Sequence, residues 1–204
     1  MQLKNILSFL FFLLAIGSML AQRGWIAGDI FLNNGDTKSG LVKISLVSKD
    51  LVALGGGGAV KFKPTKKGKK AKYRPAEIDH IILNDTNYGG YYEYVAVSDK
   101  KKELFRAVVT GKAILYHRYV SMTSSTGGTN GMMMTSTYEV DEYYVKRESE
   151  TIAMPLITGR ISKSFRHRAK NYFSDCPSLV AKLENQTYRK RDIEKVIKVY
   201  NRCD

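Results

Sequence analysis

The chain has 204 residues, which suits a single domain with a sizeable core. Its 33 Lys and Arg residues outnumber its 19 Asp and Glu residues, so the formal net charge is +14 at pH 7. This charge favours an anionic partner. Two cysteines and three dispersed histidines do not suffice for a tetrahedral Cys/His zinc site, so we expect no metal centre and no cofactor.

Residues 1–21 have the layout of a secretory signal peptide. Lys4 precedes an apolar run over residues 6–16, small residues follow, and Ala21 suits the position before a cleavage site. An uncleaved anchor helix is the alternative, but the run is short for a bilayer core of roughly 30 Å. No cysteine stands near the cut, and no later segment is apolar enough to span a membrane. We therefore expect a secreted or periplasmic protein that is not a lipoprotein.

Alternating apolar residues predict a β-hairpin around Asn33-Asn34-Gly35-Asp36. Four glycines at residues 55–58 then separate two further short apolar runs. A phosphate-binding loop would need a following Gly-Lys-Ser/Thr and a helix, and the sequence has neither here. We expect these glycines to form a flexible hairpin tip.

The densest positive charge lies in residues 61–74, which contain no acid. Pro64 and Gly68 interrupt the segment, so we expect a flexible, exposed loop. One interpretation is a binding patch for an anionic surface, whose affinity falls as salt is added; the other is a solvated loop that keeps the protein soluble. The candidate polyanion-binding residues are Lys61, Lys63, Lys66, Lys67, Lys69, Lys70, Lys72 and Arg74.

Further β-rich runs follow at residues 77–83, 91–97, 104–120, 138–146 and 151–157. Gly111 marks a bulge or a tight turn inside the longest of these runs. Joined by hairpins, the runs predict that residues 22–158 form a mostly antiparallel β-meander that is curled or barrel-like.

The uncharged segment at residues 121–137 is rich in Ser, Thr and Gly, and we expect it to be a flexible hairpin loop. Its three methionines at residues 132–134 could offer thioether ligands to cuprous copper. No histidine or cysteine stands nearby to complete such a site. An apolar loop tip is therefore the favoured interpretation.

From Ile161 the apolar period changes from two to 3.6, which predicts helices over about residues 161–173, 177–185 and 190–201. The first is basic and amphipathic, and docking on the sheet explains it better than lying on an anionic membrane. Asp175 is the expected N-cap of the second helix, with Pro177 in its first turn. The predicted fold is α+β, in which residues 159–204 form a three-helix cap on the sheet.

Cys176 and Cys203 lie at the start of the second predicted helix and just after the third. Two antiparallel helices would bring these positions together, and an exported protein folds in an oxidising compartment. We therefore predict a disulfide that closes the cap, with two buried free cysteines or a metal pair as the alternatives.

Several short motifs lie along the chain after the signal peptide: Asn34-Gly35-Asp36-Thr37 with Gly40, Tyr73-Arg74-Pro75-Ala76-Glu77-Ile78, the Phe105 to Tyr116 run with Gly111-Lys112 and Leu115-Tyr116, Asp175-Cys176-Pro177 and Tyr200-Asn201-Arg202-Cys203. Together they resemble a set of uncharacterised exported proteins common in the Bacteroidetes. The resemblance covers most of the chain after the signal peptide and implies an exported bacterial envelope protein, with no activity to carry over. The glycine, lysine and methionine segments depart from the pattern.

Signals for catalysis are sparse. The histidines His80, His117 and His167 are far apart, and on a regular strand Asp79 would face away from His80. Glu139, Asp141 and Glu142 could supply one of the paired carboxylates of a glycosidase, but spacing cannot show the second. No nucleophile elbow, zinc-protease helix or dinucleotide-binding loop is present.

The most consistent interpretation is an exported cell-envelope protein that is a non-enzymatic binding or structural module with a basic surface. Its partner would be lipopolysaccharide, an acidic polysaccharide or another envelope protein. Nucleic acid is a less expected partner outside the cytoplasm. A hydrolase acting on envelope polysaccharide or peptide is the alternative, and an accessory for stress or adhesion held in a larger complex is a third interpretation.

Overall fold

The computed structural model describes residues 24–44, 47–48, 58–127, 133–159 and 164–203, and the predicted signal peptide lies outside these ranges. One large sheet dominates the described residues. Its strands are β1 (Ile26–Leu32), β2 (Thr37–Lys43), β3 (Val47–Ser48), β4 (Val60–Lys63), β5 (Ala71–Tyr73), β6 (Ile78–Leu83), β7 (Gly90–Ser98), β8 (Lys101–Val109), β9 (Ala113–Gly127), β10 (Met133–Arg147) and β11 (Met154–Ile157). The helices are α1 (Phe165–Tyr172), α2 (Pro177–Glu184) and α3 (Ile193–Tyr200), with 3-10 turns at Pro75–Glu77 and Lys190–Asp192.

The strand order is β11-β10-β9-β8-β7-β6-β1-β2-β4-β5, and each neighbouring pair on this path is antiparallel. Only the short β3, off the path, pairs parallel with β9 among the described strands. The predicted antiparallel sheet with a C-terminal helical cap is confirmed.

The curled or barrel-like shape is not what the structure has, because β11 and β5 form the two ends of an open, uncurled sheet. A barrel closes by pairing its edges, whereas these edges are protected in other ways. α1 lies against β11, where the Arg168 guanidinium donates to the Leu156 carbonyl (2.8 Å). β5 has only three residues and carries Lys72.

A row of directly opposite residues shows that both ends of the sheet share one core face. The row runs from Ile30 on β1 to Tyr143 on β10, through Ile81, Tyr92, Arg106 and His117. Opposite residues on neighbouring strands point to the same side. At one end of this face lies a core that includes Ile30, Val42 and Ile81; at the other end, Leu115 and Val145 pack beneath the helices.

The opposite face has a smaller core of its own, built around Phe105 and Tyr116, both fully buried. Tyr144 and Ala153 complete this cluster. Ala153 reaches β7 through a backbone hydrogen bond from its N–H to the Ala96 carbonyl (2.8 Å). The segment between β10 and β11 therefore crosses this face and covers it.

The predicted hairpin at Asn33-Asn34-Gly35-Asp36 is confirmed, with β1 and β2 paired from Ile26↔Val42 to Phe31↔Thr37. Gly35 has a φ of 89°, which favours glycine, and its N–H donates to the Leu32 carbonyl (2.9 Å). The strand signal and the turn residue therefore point to the same local structure.

The hairpin of β9 and β10 is longer than the sequence indicates. We expected residues 121–137 to be a loop, but β9 continues to Gly127 and pairs there with Met133 of β10. The register is unbroken from this pair to Ala113↔Arg147. Threonine favours strands and can extend an established ladder, but the low complexity of the segment masked this signal in the sequence. Of the methionine segment, only the strand backbone of residues 133 and 134 is described.

The C-terminal cap agrees with the helical pattern. The whole predicted stripe of α3 is buried, namely Ile193, Val196, Ile197 and Tyr200. Phe165, Ala169 and Tyr172 form the buried side of α1, while Ile161 lies outside the described residues. The third helix begins later than expected, because residues 190–192 form a 3-10 turn.

Cys176 and Cys203 form the predicted disulfide, with their Cα atoms 6.0 Å apart. The expected N-cap is wrong by one residue: Cys176 occupies that position, since Pro177 is the first helical residue. Asp175 instead accepts hydrogen bonds from the Tyr200 hydroxyl (2.6 Å) and Arg147 (2.8 Å). Its carboxylate therefore joins α3 and β10 rather than capping α2. Burial would raise the pKa of Asp175, but the hydrogen bond from Tyr200 and the charge of Arg147 hold it below its usual value.

Within the described ranges, no helix is both long enough and apolar enough to cross a membrane.

Candidate polyanion-binding site

The lysine-rich segment forms the edge hairpin of the sheet. β5 pairs with β4 so that Lys72 lies opposite Lys61, and β2 pairs with β4 so that Lys43 lies opposite Lys61. Because opposite residues point to the same face, these side chains form one line across three strands, here called the lysine row. Like charges facing each other across strands repel, so the row by itself destabilises the hairpin.

The alternation of β4 determines which face the lysines occupy. Val60 and Phe62 are 0% and 6% exposed and belong to the core. Lys61 and Lys63 therefore point to the opposite side. Lys63 lies opposite Leu41 on β2, next to the lysine row. The buried neighbours thus hold these two ammonium groups on a single outer surface.

The structure differs from the predicted loop over residues 61–74, because both ends of this segment are strands. Only residues 64–70 connect β4 to β5, with a hydrogen bond from the Gly68 N–H to the Thr65 carbonyl (3.0 Å). Pro64 and Gly68 lie in this connection, where their turn signals hold, while burial of Val60 and Phe62 and pairing with β2 keep the residues before it in a strand. The exposed loop lysines are Lys66, Lys67, Lys69 and Lys70.

Arg74 lies at the far end of the hairpin from this loop. It precedes the 3-10 turn, and its backbone N–H donates to a Glu77 carboxylate oxygen (2.7 Å). The structure therefore divides the eight predicted cations into three groups: those on the strands, those in the connecting loop, and Arg74.

Two residues of this surface were missed from sequence. Lys43 lies outside the lysine-rich segment and joins the row only through the pairing of β2 with β4. Trp25 precedes β1, and the Lys63 ammonium lies over its ring, 4.7 Å from the centroid. For Lys43, the one signal in the sequence was the alternation of side chains along β2, since Lys43 follows the buried Val42.

The positive charge of the lysine row is not neutralised by the described part of the protein. The ion pairs that the structure shows lie elsewhere, for example between Lys101 and Glu103 (2.6 Å). In the described ranges, no lysine of the row forms an ion pair. Lys63 donates to the Lys66 carbonyl (3.4 Å), which leaves its charge uncompensated. The surface can therefore attract anions, and its lysines can donate hydrogen bonds to them.

Glu142, one of the acidic residues considered for catalysis, belongs to a buried ion cluster. Glu142 is 1% exposed and accepts from Arg118 Nη2 (2.8 Å), and Arg118 also pairs with Glu103. Burial alone would raise the pKa of Glu103, but the hydrogen bond from Lys101 and the charge of Arg118 hold it below its usual value. The guanidinium lies over the Phe105 ring at 4.6 Å. This arrangement is a buried ion cluster that joins three strands.

His117 and Asp141 form a close pair, with Nε2 and Oδ1 2.7 Å apart. The His117 side chain is only 4% exposed, and the rings of Tyr119 and Tyr143 contact it with centroids 4.6 and 4.7 Å away. Burial lowers the pKa of His117, and the hydrogen bond and charge of Asp141 partly oppose that shift. A neutral imidazole beside a carboxylate can accept a proton, although the surrounding rings shield it.

The expectation that Asp79 faces away from His80 is wrong. Phe31 pairs with His80 but Leu32 pairs with Ile78, so Asp79 is the extra residue of a β-bulge. The bulge re-aims the side chain, and the Asp79 carboxylate lies 2.8 Å from His80 Nδ1. His80 also stacks between Phe31 and Tyr91. The third histidine, His167, lies exposed on α1.

An open depression of about 440 Å³ lies beside the cap, lined by Ser149, Glu150, Thr151, Ile152, Met154 and Tyr172. Glu150 supplies the one carboxylate of this described lining, and it accepts a hydrogen bond from the Tyr172 hydroxyl. Among these lining residues there is no second carboxylate of the kind that a glycosidase requires. Of the glycine segment, only Gly58 is described, and its carbonyl accepts from the Tyr94 hydroxyl.

Comparison of the chain with family models, with curated proteins and with solved structures finds no match in any of the three.

Proposed function

We propose that this protein is an exported, non-enzymatic binding module of the cell envelope that holds a polyanion on its lysine row. The observation that carries the proposal is the alignment of Lys43, Lys61 and Lys72 on one face without a carboxylate partner among the described residues. Such a row costs free energy when it is empty. A bound polyanion removes the repulsion and gains charge-assisted hydrogen bonds.

Two further features support the proposal. Strand pairing sets Lys43, Lys61 and Lys72 in line, whereas the lysines of residues 64–70 lie at the tip of the same hairpin and extend the positive surface. Export is supported by the disulfide, since such bonds persist in oxidising compartments. The anions available there are lipopolysaccharide phosphates, acidic polysaccharides and acidic surfaces of other envelope proteins.

The test is retention of the purified protein on immobilised heparin or lipopolysaccharide at increasing salt. A row variant changes Lys43, Lys61 and Lys72 to Gln, and a loop variant changes Lys66, Lys67, Lys69 and Lys70 to Gln. The control changes Lys190, Lys195 and Lys198 to Gln, which removes as much charge as the row variant from the exposed side of the third helix and the turn before it.

We expect the row variant to elute at clearly lower salt than the control, because three direct contacts are lost rather than net charge alone. The loop variant should fall between the two. Equal elution of the row variant and the control would refute the proposal, since net charge would then explain all retention.

A hydrolase is the second candidate, and the His117–Asp141 pair is the observation that favours it. His117 would act as the general base on an envelope polysaccharide or peptide. Incubation with cell-wall fragments, followed by analysis of products, tests this function. Activity that is lost in His117→Asn would establish it, and no hydrolysis by either protein would dismiss it.

A further inference from the structure

Trp25 gives the lysine surface an aromatic component. It is the only tryptophan in the chain. The register of β1 and β2 pairs Ile26 with Val42, so its continuation places Trp25 beside Lys43, at the end of the lysine row. Its ring contacts the Lys63 ammonium, which fixes it on the same outer face. A ring therefore borders the charges across β2, β4 and β5.

An apolar strip continues from this ring along the first two strands. Ala27 pairs with Leu41, and Leu41 pairs with Lys63. Opposite residues share a face, so Ala27, Leu41 and Lys63 form a second line parallel to the lysine row. Ala27 is exposed and Leu41 is half-buried. The apolar strip is short, because Asp29 follows on the same face of β1, and it borders a positive row that crosses β2, β4 and β5.

We infer that the polyanion is an acidic polysaccharide, whose sugar rings lie on Trp25 and whose charged groups contact the lysines. This inference rests on the proposed function and identifies the class of its ligand. Phosphate chains carry charge without rings and would use the lysines alone. A sugar chain presents an apolar C–H face beside its acidic groups, which matches a surface where an aromatic ring borders a line of lysines.

Lys63 links the two halves of this surface. Its ammonium lies over Trp25, a contact worth little at an exposed site, so an acidic group can draw it away from the ring. The ring face that Lys63 occupies is then open to a sugar. Ligand binding should therefore change the fluorescence of Trp25, and no other tryptophan contributes to that signal.

A membrane surface fits the same residues less well. Interfacial binding buries a wide apolar face, usually a long amphipathic helix with several large side chains. The strip here consists of Trp25, Ala27 and Leu41, and its border is a straight edge of lysines. Tightest binding to an anionic lipid surface is therefore the competing outcome of the test.

The test compares three probes by Trp25 fluorescence and by calorimetry: polygalacturonate, inorganic polyphosphate at equal charge, and phosphatidylglycerol vesicles. We expect polygalacturonate to change the fluorescence and to bind tightest. Trp25→Leu should weaken polygalacturonate binding about tenfold and leave polyphosphate binding unchanged. Trp25→Phe should restore part of the loss. Thermal unfolding of each variant checks that it is folded.

The outcomes separate this inference from the proposed function. If the row variant loses all binding while Trp25→Leu changes nothing, ring recognition is wrong and the lysine row stands. If vesicles bind tightest, the ligand class is wrong. If the row variant binds every probe like the wild type, the proposed function fails as well.

Discussion

Asn201 packs so closely against Gly111 that a side chain on the glycine would have no room. A Cβ built on Gly111 would lie 2.5 Å from Asn201 Nδ2. Asn201 binds the turn between β8 and β9 from the end of α3: its Oδ1 accepts from the Ala113 N–H (2.7 Å), and its Nδ2 donates to the Thr110 carbonyl (3.1 Å). Two motifs that are distant in sequence therefore form one contact between the cap and the sheet.

Replacing Gly111 with Ala should destabilise the protein by about 2–3 kcal/mol, because its φ of 143° is strained for other residues and the new Cβ would clash with Asn201. Urea unfolding gives the free-energy difference. Gly35→Ala is a matched control, since Gly35 also has a positive φ (89°) but a Cβ built on it would meet no atom of the described residues within 4 Å. Its cost should be smaller, about 1 kcal/mol.

A double-mutant cycle isolates the clash. Gly111→Ala/Asn201→Ala removes the clash with the amide group of Asn201 and leaves only its Cβ at 3.2 Å, so the two losses should not add. If the two losses of unfolding free energy are fully additive, Asn201 does not clash with the side chain at position 111.

Replacing both Cys176 and Cys203 with Ala should lower the free energy of unfolding by roughly 3–4 kcal/mol. The bridge spans 27 residues, so its loss increases the entropy of the unfolded chain. Urea unfolding measures the change, and a reductant should destabilise the wild type but not the variant. An intact mass that does not increase by two hydrogen atoms on reduction would contradict the bridge.

Stability should fall as the pH drops below about 6.5, and His117 should cause part of this loss. Its pKa is lower in the folded protein than in the unfolded chain. The unfolded chain therefore binds more protons between the two values, so stability is present above the unfolded pKa and is lost as the pH falls through the folded one.

Urea unfolding at pH 5, 6, 7 and 8 measures this slope. His117→Asn should flatten it, whereas His167→Asn, on an exposed position of α1, should leave it unchanged. Equal slopes in the wild type and His117→Asn would contradict the role of His117.

The local elements could be predicted from the sequence where the periodicity of the apolar residues coincides with their burial in the tertiary structure. In α3, apolar residues at helical spacing are also the residues that the sheet buries, so Ile193 and Ile197 were identified without any tertiary information. The disulfide followed because two antiparallel helices bring their distant ends together.

The lysine surface could be predicted only in part, because pairing between distant strands determines its shape. Charge density identified Lys61 and Lys72, but Lys43 and Trp25 join them only through β2 and β1. The bulge that turns Asp79 towards His80 was hidden for the same reason. A single extra residue in a ladder depends on the partner strand.

Sequence alone determined the class of structure, the helical cap and the concentration of positive charge, since these depend on periodicity and composition along the chain. The tertiary structure decided that the sheet is open, that residues 121–127 and 133–137 extend one long hairpin, and that three lysines align without a carboxylate partner among the described residues. The physical reason is that strand order and register are set by contacts between residues far apart in sequence, and local propensity carries no information about them.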